Sequence, residues 1–168
     1  MSLVKKKNAE DLKAVMRQFP FPVTVVTAAV GKEKRGITIG SFTSLSMDPP
    51  LVSFNLDAEA QMHDLIDKIT HFAVHFPGTK QAAICDHFAT PDMTGEEQFE
   101  DIDFHRSKYG TPVLNDAGAV MQCRLYNRFK AGDHTIIVGE VVEIDQPNEE
   151  ASILYYDRSY RCIGDPVE

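Results

Sequence analysis

Two long strand-like runs joined by a short polar turn dominate the second half of the sequence. They cover residues 119–129 and 134–144, and the turn at residues 130–133 carries Gly132 and Asp133. Two runs of this kind around a glycine-containing turn are typical of a β-hairpin. The pair predicts that the chain folds around a β-sheet.

Shorter runs elsewhere extend this sheet. Strands are predicted at residues 23–30, 36–50, 51–56, 71–76 and 153–156. The polar turn at residues 31–36 makes the run at 36–50 the expected hairpin partner of the first strand. Six or more strands, mostly joined by turns, predict one mainly β domain over residues 1–168, with flanking helices, built as a small closed antiparallel barrel.

Three helices are predicted between these strands. Asn8 is placed to cap the first, along which Leu12, Val15, Met16 and Phe19 recur at helical spacing, so this stripe is expected to lie on a core. Residues 58–69 and 78–89 are predicted to form the other two helices. Residues 91–112 are acidic and show no steady period, so an irregular excursion is expected there.

Charge and cysteine content narrow the class of function. Lys and Arg number 17 against 25 Asp and Glu, which gives a net charge of -8. Such a molecule repels phosphate backbones, so no nucleic-acid partner is expected. The three cysteines form no Cys-x-x-Cys pair, and the N-terminus has no apolar run long enough for a signal peptide. A cytoplasmic protein with reduced thiols and no membrane partner is therefore predicted.

The run from Gly36 to Pro50 combines strand character with glycines and small hydroxyls before it ends at two prolines. Gly40 leaves the backbone bare for close approach by a flat ligand, and hydroxyls such as those of Thr38 and Ser41 are suited to donate to carbonyl or phosphate oxygens. The alternative is a Ser- and Thr-rich strand of an ordinary β-domain. Composition alone favours this alternative.

Several familiar motifs are missing from the sequence. It contains no Gly-x-Gly-x-x-Gly, no phosphate-binding loop and no Gly-x-Ser-x-Gly elbow. His71 and His75 have a spacing that would suit zinc on a helix, but residues four apart on a strand lie about 13 Å from each other. No metal site is therefore expected.

Two further groups are candidates for ligand contact. His134 follows Gly132 and Asp133 and is placed at the mouth of the long hairpin, either as a ligand contact or as an exposed strand start. Near the C-terminus, residues 155–160 supply three tyrosines and Arg158. These suit stacking on a flat ring, but core packing with a surface arginine is the more frequent explanation.

Taken together, four motifs in this order resemble the flavin reductase-like family. They are Phe-Pro-Val-Thr-Val-Val-Thr at 21–27, Ser-Phe-Thr-Ser-Leu-Ser-x-x-Pro-Pro at 41–50, Gly-Asp-His at 132–134 and Tyr-Tyr-x-Arg-x-Tyr at 155–160. The resemblance covers roughly residues 10–164. It implies an FMN-binding split barrel, which is a Greek-key antiparallel barrel that binds FMN or FAD as a homodimer. It also implies hydride transfer from NADH or NADPH to flavin, as in the reductase component of a two-component monooxygenase.

The resemblance also implies which residues form the site. The isoalloxazine edge is expected to face the backbone and hydroxyls of Thr38, Ile39, Gly40 and Ser41. The ribityl chain and phosphate are expected near Asn55, Leu56, Asp57, Gln61, Met62 and Gln81. His134 resembles the family histidine that lies near the nicotinamide, and it is the candidate catalytic residue.

The sequence departs from the family at the phosphate segment. Many relatives have a Ser-x-Thr type pair where this chain has Ala60-Gln61-Met62, so two hydroxyl donors are missing. Phosphate binding then depends on Gln61, on a helix N-terminus or on basic groups elsewhere. Weak flavin binding would suit a diffusible substrate. The alternative function is a flavoredoxin-like carrier that holds FMN and has no nicotinamide turnover.

Overall fold

The computed structural model describes residues 8–146 and 151–166. The chain forms twelve strands and four helices within these ranges. In chain order they are α1 Ala9–Met16, β1 Phe21–Pro22, β2 Thr24–Val30, β3 Glu33–Ile39, β4 Thr43–Met47, β5 Pro50–Asp57, α2 His63–Ile66, β6 His71–Phe76, α3 Ala82–Ala89, α4 Gly95–Phe99, β7 Phe104–Arg106, β8 Pro112–Leu114, β9 Ala119–Ala131, β10 His134–Asp145, β11 Ile153–Tyr156 and β12 Ser159–Cys162.

One seven-stranded antiparallel sheet forms the body of the molecule. Its order is β3-β2-β6-β9-β10-β5-β4, so the long hairpin of β9 and β10 lies near its centre. This confirms the hairpin predicted at residues 119–144, which turns at Gly132 with a positive φ of 65°. The short strands β1, β11 and β12 form a second sheet, and β7 pairs with β8.

The barrel is open between β3 and β4, so the closed barrel predicted from strand count is wrong and the split barrel implied by the resemblance is confirmed. The run at residues 36–50 is not one strand. It leaves β2 after Ile39, and β4 then pairs with β5 at the other edge of the sheet. A side chain of α4 occupies the free edge of β3, since the Gln98 amide bonds to both the N–H and the carbonyl of Gly36.

The core lies inside this curved sheet. Phe54 and Phe72 are fully buried there and pack edge to face with ring centroids 5.5 Å apart. Gly139 of β10 must stay small, because a Cβ at this position would lie 2.3 Å from Cζ of Phe72. A second cluster, which includes Cys85 and Phe88 of α3, packs on the outer side of β2.

The helices differ more from expectation than the strands do. Helix α1 begins at the predicted cap Asn8, but its stripe does not lie on a core, since Leu12 is 62% exposed and Val15 is 65% exposed. Of the helix predicted at residues 58–69 only α2 forms, because the chain turns repeatedly before it. Residues 91–112 are not wholly irregular, since they contain α4, β7 and the start of β8.

None of the helices in the described part of the chain has the length and apolar character needed to cross a lipid bilayer.

Candidate functional site

The free edge of β3 presents backbone groups to the split. Gly36 turns its N–H and carbonyl away from β2 and toward Gln98, at 3.1 Å each. Backbone groups alternate in direction along an antiparallel strand, so those of Thr38 also point away from β2, and Gly40 continues the series. Donors and acceptors therefore alternate along an edge that no strand covers in the described part of the chain.

The side chains of this segment hold the frame. The Thr38 hydroxyl donates to the carbonyl of Cys85 at 2.7 Å, and the side chain of Ile39 is buried in the core. Ser41 Oγ accepts from the N–H of Asn55 at 2.9 Å, which bridges the split between the end of β3 and β5. The hydroxyls predicted to donate to a ligand are thus engaged with the protein, and the backbone is the part left free.

Gly40 has no steric reason within the protein to be glycine. Its φ is not positive, and a Cβ built there would come no closer than 3.5 Å to another atom, which is ordinary contact with Phe21. The residue is exposed at the edge of β3. This fits the prediction that a ligand approaches the backbone here.

A cleft of about 390 Å³ lies between β3, the segment after β5 and the chain that follows α3. It brings together three of the predicted site residues, Asp57, Gln61 and Met62, beside Arg35 and Ile37 of β3. Its volume is in the range of small-molecule sites. Asn55 lies next to it at the Ser41 bridge, whereas the side chain of Leu56 is fully buried in the core.

Arg35 is the functional candidate that the sequence reading missed. It is the one basic residue that lines the described cleft, opposite the carboxylates of Asp57, Glu59 and Asp92. Its Nη1 donates to Gln61 Oε1 at 2.9 Å and to the carbonyl of Met93 at 3.0 Å. The sequence of β3 did contain a signal for it. Residues two apart on a strand share a face, so Arg35 lies on the same face as the apolar Ile37, where a cation is unexpected.

A smaller pocket of about 240 Å³ lies beside Gly40. Phe21, Tyr155 and Tyr160 line it, and the two tyrosine rings pack edge to face at 5.3 Å. Burial raises the pKa of Tyr160, and its hydrogen bond to Asp86 adds to the shift. The C-terminal motif therefore places two aromatic rings at the edge of β3, while Arg158 lies outside this pocket.

His134 begins β10 directly opposite Asp57, which lines the cleft. Its Nδ1 bonds to Asp133 Oδ1 at 2.8 Å, and its side chain remains 43% exposed. The hydrogen bond from His134 lowers the pKa of the Asp133 carboxyl. The turn is fixed to the cleft because the N–H of Ala58 donates to the Asp133 carbonyl at 3.0 Å.

Gln81 is a predicted site residue that does not line the cleft. It precedes α3, whereas the cleft lies beyond the other end of this eight-residue helix, about 12 Å away along its axis. Both ends of its amide are engaged, since Oε1 accepts from Gly78 at 2.8 Å and Nε2 donates to the Asp116 carbonyl at 2.6 Å. Its role is to hold the start of α3.

The buried titratable groups serve packing. His75 lies in β6 with Nδ1 bonded to the Val25 carbonyl and Nε2 accepting from Leu114, so both ring nitrogens are used. Burial raises the pKa of the Cys85 and Cys123 thiols to about 12, which keeps them protonated. No group of three or more His, Cys, Asp or Glu side chains in the described residues is arranged to hold a metal ion.

Comparison with known proteins agrees with this geometry. The model of the flavin reductase like domain matches residues 16–164. The chain is 37% identical to an NADH-dependent FAD reductase of Streptomyces globisporus, over 99% of this chain and 92% of the relative. It is 33% identical to the reductase component of 4-hydroxyphenylacetate 3-monooxygenase of Thermus thermophilus, over 92% and 96%.

A solved structure shows the same fold. The NADH:FAD oxidoreductase SgcE6 of Streptomyces globisporus C-1027, in complex with NAD and FAD fragments, superimposes with a TM-score of 0.88 at 32% identity, covering 100% of both chains. Three findings agree: the split barrel is open with a free β3 edge, the family model spans nearly the whole chain, and relatives are more than 30% identical to it. The chain therefore belongs to the flavin reductase-like family.

Proposed function

We propose that the chain is an NAD(P)H-dependent flavin reductase that supplies reduced flavin to a separate oxygenase. The observation that carries the proposal is the uncovered backbone edge at Thr38 and Gly40 beside the cleft formed by β3 and residues 57–62. The relatives named as reductase components of monooxygenases support the oxygenase as the acceptor.

The residues present suit a flavin. The pyrimidine part of the isoalloxazine ring carries carbonyl acceptors with an N–H donor between them, and it needs the alternating donors and acceptors that a strand edge offers. Thr38 to Ser41 supply this edge, and Gly40 adds no side chain to it. The cleft lined by Asp57, Gln61 and Met62 then receives the ribityl chain and phosphate.

The chain's contribution to the reaction is placement. Bound flavin accepts a hydride from the nicotinamide, and this chemistry belongs to the two nucleotides. The β3 edge would hold the flavin ring, and His134, which Asp133 orients, would contact the nicotinamide nucleotide. Holding two reactants in contact accounts for a large part of the rate gain when no side chain must transfer a proton.

An apolar patch on the outer face of the sheet supports a homodimer. Ile137 and Phe54 point into the core, so their neighbour Ile136 faces outward, where it pairs with Phe129 of β9. Phe129 is 52% exposed, and Tyr126 nearby on β9 is 55% exposed. Exposed apolar patches of this kind mark association surfaces, and a second copy of this single-domain chain is the proposed occupant.

The free thiols support a cytoplasmic location. Cys85 and Cys123 are buried and unpaired, and Cys162 is exposed and unpaired. Proteins whose cysteines stay unpaired are typical of reducing compartments such as the cytoplasm. Nicotinamide nucleotides are available there as well.

The test is an NADH and NADPH oxidation assay on the purified protein, with and without added FMN, FAD or riboflavin. A reductase oxidises nicotinamide only when free flavin is present. The flavoredoxin-like alternative predicts a persistently yellow protein that turns over neither nucleotide. Absence of flavin binding by fluorescence titration would exclude both functions.

A further inference from the structure

The guanidinium of Arg35 has one occupied edge and one unoccupied edge. Gln61 Oε1 and the Met93 carbonyl both accept from Nη1, which fixes the plane of the group. The opposite edge carries Nε and Nη2, and neither makes a hydrogen bond within the described ranges. Nε is the one buried side-chain nitrogen or oxygen there that has no partner.

An unpartnered buried donor on a charged group is costly and calls for an acceptor. The edge of an arginine with two parallel N–H groups matches two oxygens of a phosphate. The same residue lines the cleft beside Ala60 and Met62, whose side chains offer no hydrogen-bond donor. Arg35 is thus the cationic donor that lines the described cleft beside residues 60–62.

We propose that Arg35, oriented by Gln61, binds the flavin phosphate and determines how strongly this chain prefers phosphorylated flavins to riboflavin. This inference rests on the proposed function. Gln61 is then a positioning residue, since its carbonyl oxygen holds Nη1. Arg35 supplies a positive charge that no other residue lining the described cleft provides.

The surroundings of Arg35 limit the affinity it can give. Asp57, Glu59 and Asp92 line the same cleft, so its described lining carries three carboxylates and one guanidinium. A phosphate monoester carries a charge of about -1.5 to -2 at pH 7, and the carboxylates repel it. The cleft therefore attracts the phosphate at one point and repels it around that point, which favours rapid release of flavin.

The experiment compares dissociation constants of FMN, FAD and riboflavin, measured by flavin fluorescence without nicotinamide. Arg35→Gln should weaken FMN and FAD binding about tenfold and leave riboflavin within about twofold, since riboflavin has no phosphate. Arg35→Lys, which keeps the charge but not the fork, should weaken FMN about threefold. Gln61→Ala should fall between these two.

Two further variants control for net charge. Lys34→Gln removes the same charge from the neighbouring residue, whose Nζ lies 5.6 Å from the Phe99 ring outside the cleft, and FMN binding should not change. Asp92→Asn removes a carboxylate from the cleft and should tighten FMN binding about threefold. Asn tolerates the positive φ of 63° at this position.

The outcomes separate the two proposals. Equal loss of FMN and riboflavin in Arg35→Gln, or no loss of either, overturns the role of Arg35 while the reductase function stands. A raised Michaelis constant for NADH with riboflavin as acceptor, with FMN affinity unchanged, assigns Arg35 to the nicotinamide phosphates and also overturns it. If the wild-type protein binds none of the three flavins, the proposed function itself fails. Should Arg35→Gln not fold, Arg35→Lys and Asp92→Asn decide the question.

Discussion

His75 shows how a single buried residue ties the stability of this fold to pH. Its imidazole is fully enclosed between β6, β2 and the end of β8, and it bonds through both nitrogens. Burial lowers its pKa from 6.5 to about 4, and the hydrogen bond to the Val25 carbonyl opposes that shift only in part. The neutral ring is the form that the fold accepts.

Stability should therefore fall as the pH decreases from 6.5 to about 4, because over this window the unfolded chain binds a proton at residue 75 and the folded chain does not. The gap corresponds to about 3 kcal/mol. Urea unfolding at several pH values should show a shallower acid slope for His75→Gln, despite its lower stability at pH 7. An unchanged slope in His75→Gln would contradict this assignment.

His134 is the residue whose substitution should separate the two substrates. It is exposed, anchored by Asp133 and opposite Asp57 at the edge of the cleft. His134→Asn should raise the Michaelis constant for nicotinamide about fivefold to tenfold, as expected for one lost contact, and leave flavin affinity within about twofold. Steady-state kinetics with flavin titration provide the measurement. A loss confined to flavin affinity would place His134 in the flavin site instead.

At the scale of elements, α4 is the helix that replaces a strand at the edge of β3. Thr94 and Glu97 form a reciprocal cap at its start, and Gln98 in its last turn bonds to both backbone groups of Gly36. Gln98 is 6% exposed, so these bonds form in the interior. A five-residue helix thus stabilises the part of β3 that lies next to the proposed site.

Gln98→Leu should lower the free energy of unfolding by about 2–4 kcal/mol, since two buried backbone groups lose their partners. Thr94→Ala is the matched variant in the same helix. It removes an exposed cap and should cost about 1 kcal/mol. Denaturant unfolding of both proteins measures the difference. Equal losses would mean that Gln98 acts only as a helix residue.

The strands could be predicted from the sequence more fully than the helices. Strands β2, β5, β6, β9, β10 and β11 were predictable to within about two residues, because β-branched runs and turn residues define them locally. The division of residues 36–50 into two strands was not, since it depends on Ser41 reaching Asn55 across the sheet. Helix α4 lacks a hydrophobic period, although its Thr94–Glu97 capping pair was visible in the sequence.

The candidate site was also predictable only in part from the sequence. The backbone edge at Thr38 and Gly40 was predictable from glycine and strand pattern together with the family resemblance. Arg35 was not, because its contact with Gln61 joins residues that are 26 positions apart. The prediction that the apolar stripe of α1 lies on a core was wrong for a related reason. Helical spacing predicts an apolar face but does not identify what covers it.

At the scale of the whole molecule, the outward patch around Phe129 and Ile136 should decide the assembly state. Phe129→Glu places a charge in the proposed interface and should shift the molecular mass from about twice 18.8 kDa to that of a single chain. Light scattering after size-exclusion chromatography measures this. Val30→Glu, at an exposed apolar position beside the β2–β3 turn, should leave the mass unchanged. A wild-type protein that elutes as a monomer would contradict the homodimer.

The opening between β3 and β4 has a consequence beyond the reaction. Apart from the Gln98 amide at Gly36 and the Ser41 bridge, the seam leaves backbone donors and acceptors of β3 without a neighbouring strand. Such an edge is a template for strands of other molecules. In the proposed complex, bound flavin would occupy this edge in place of a strand. We therefore expect the flavin supply of the cell to set the solubility of this protein as well as its turnover.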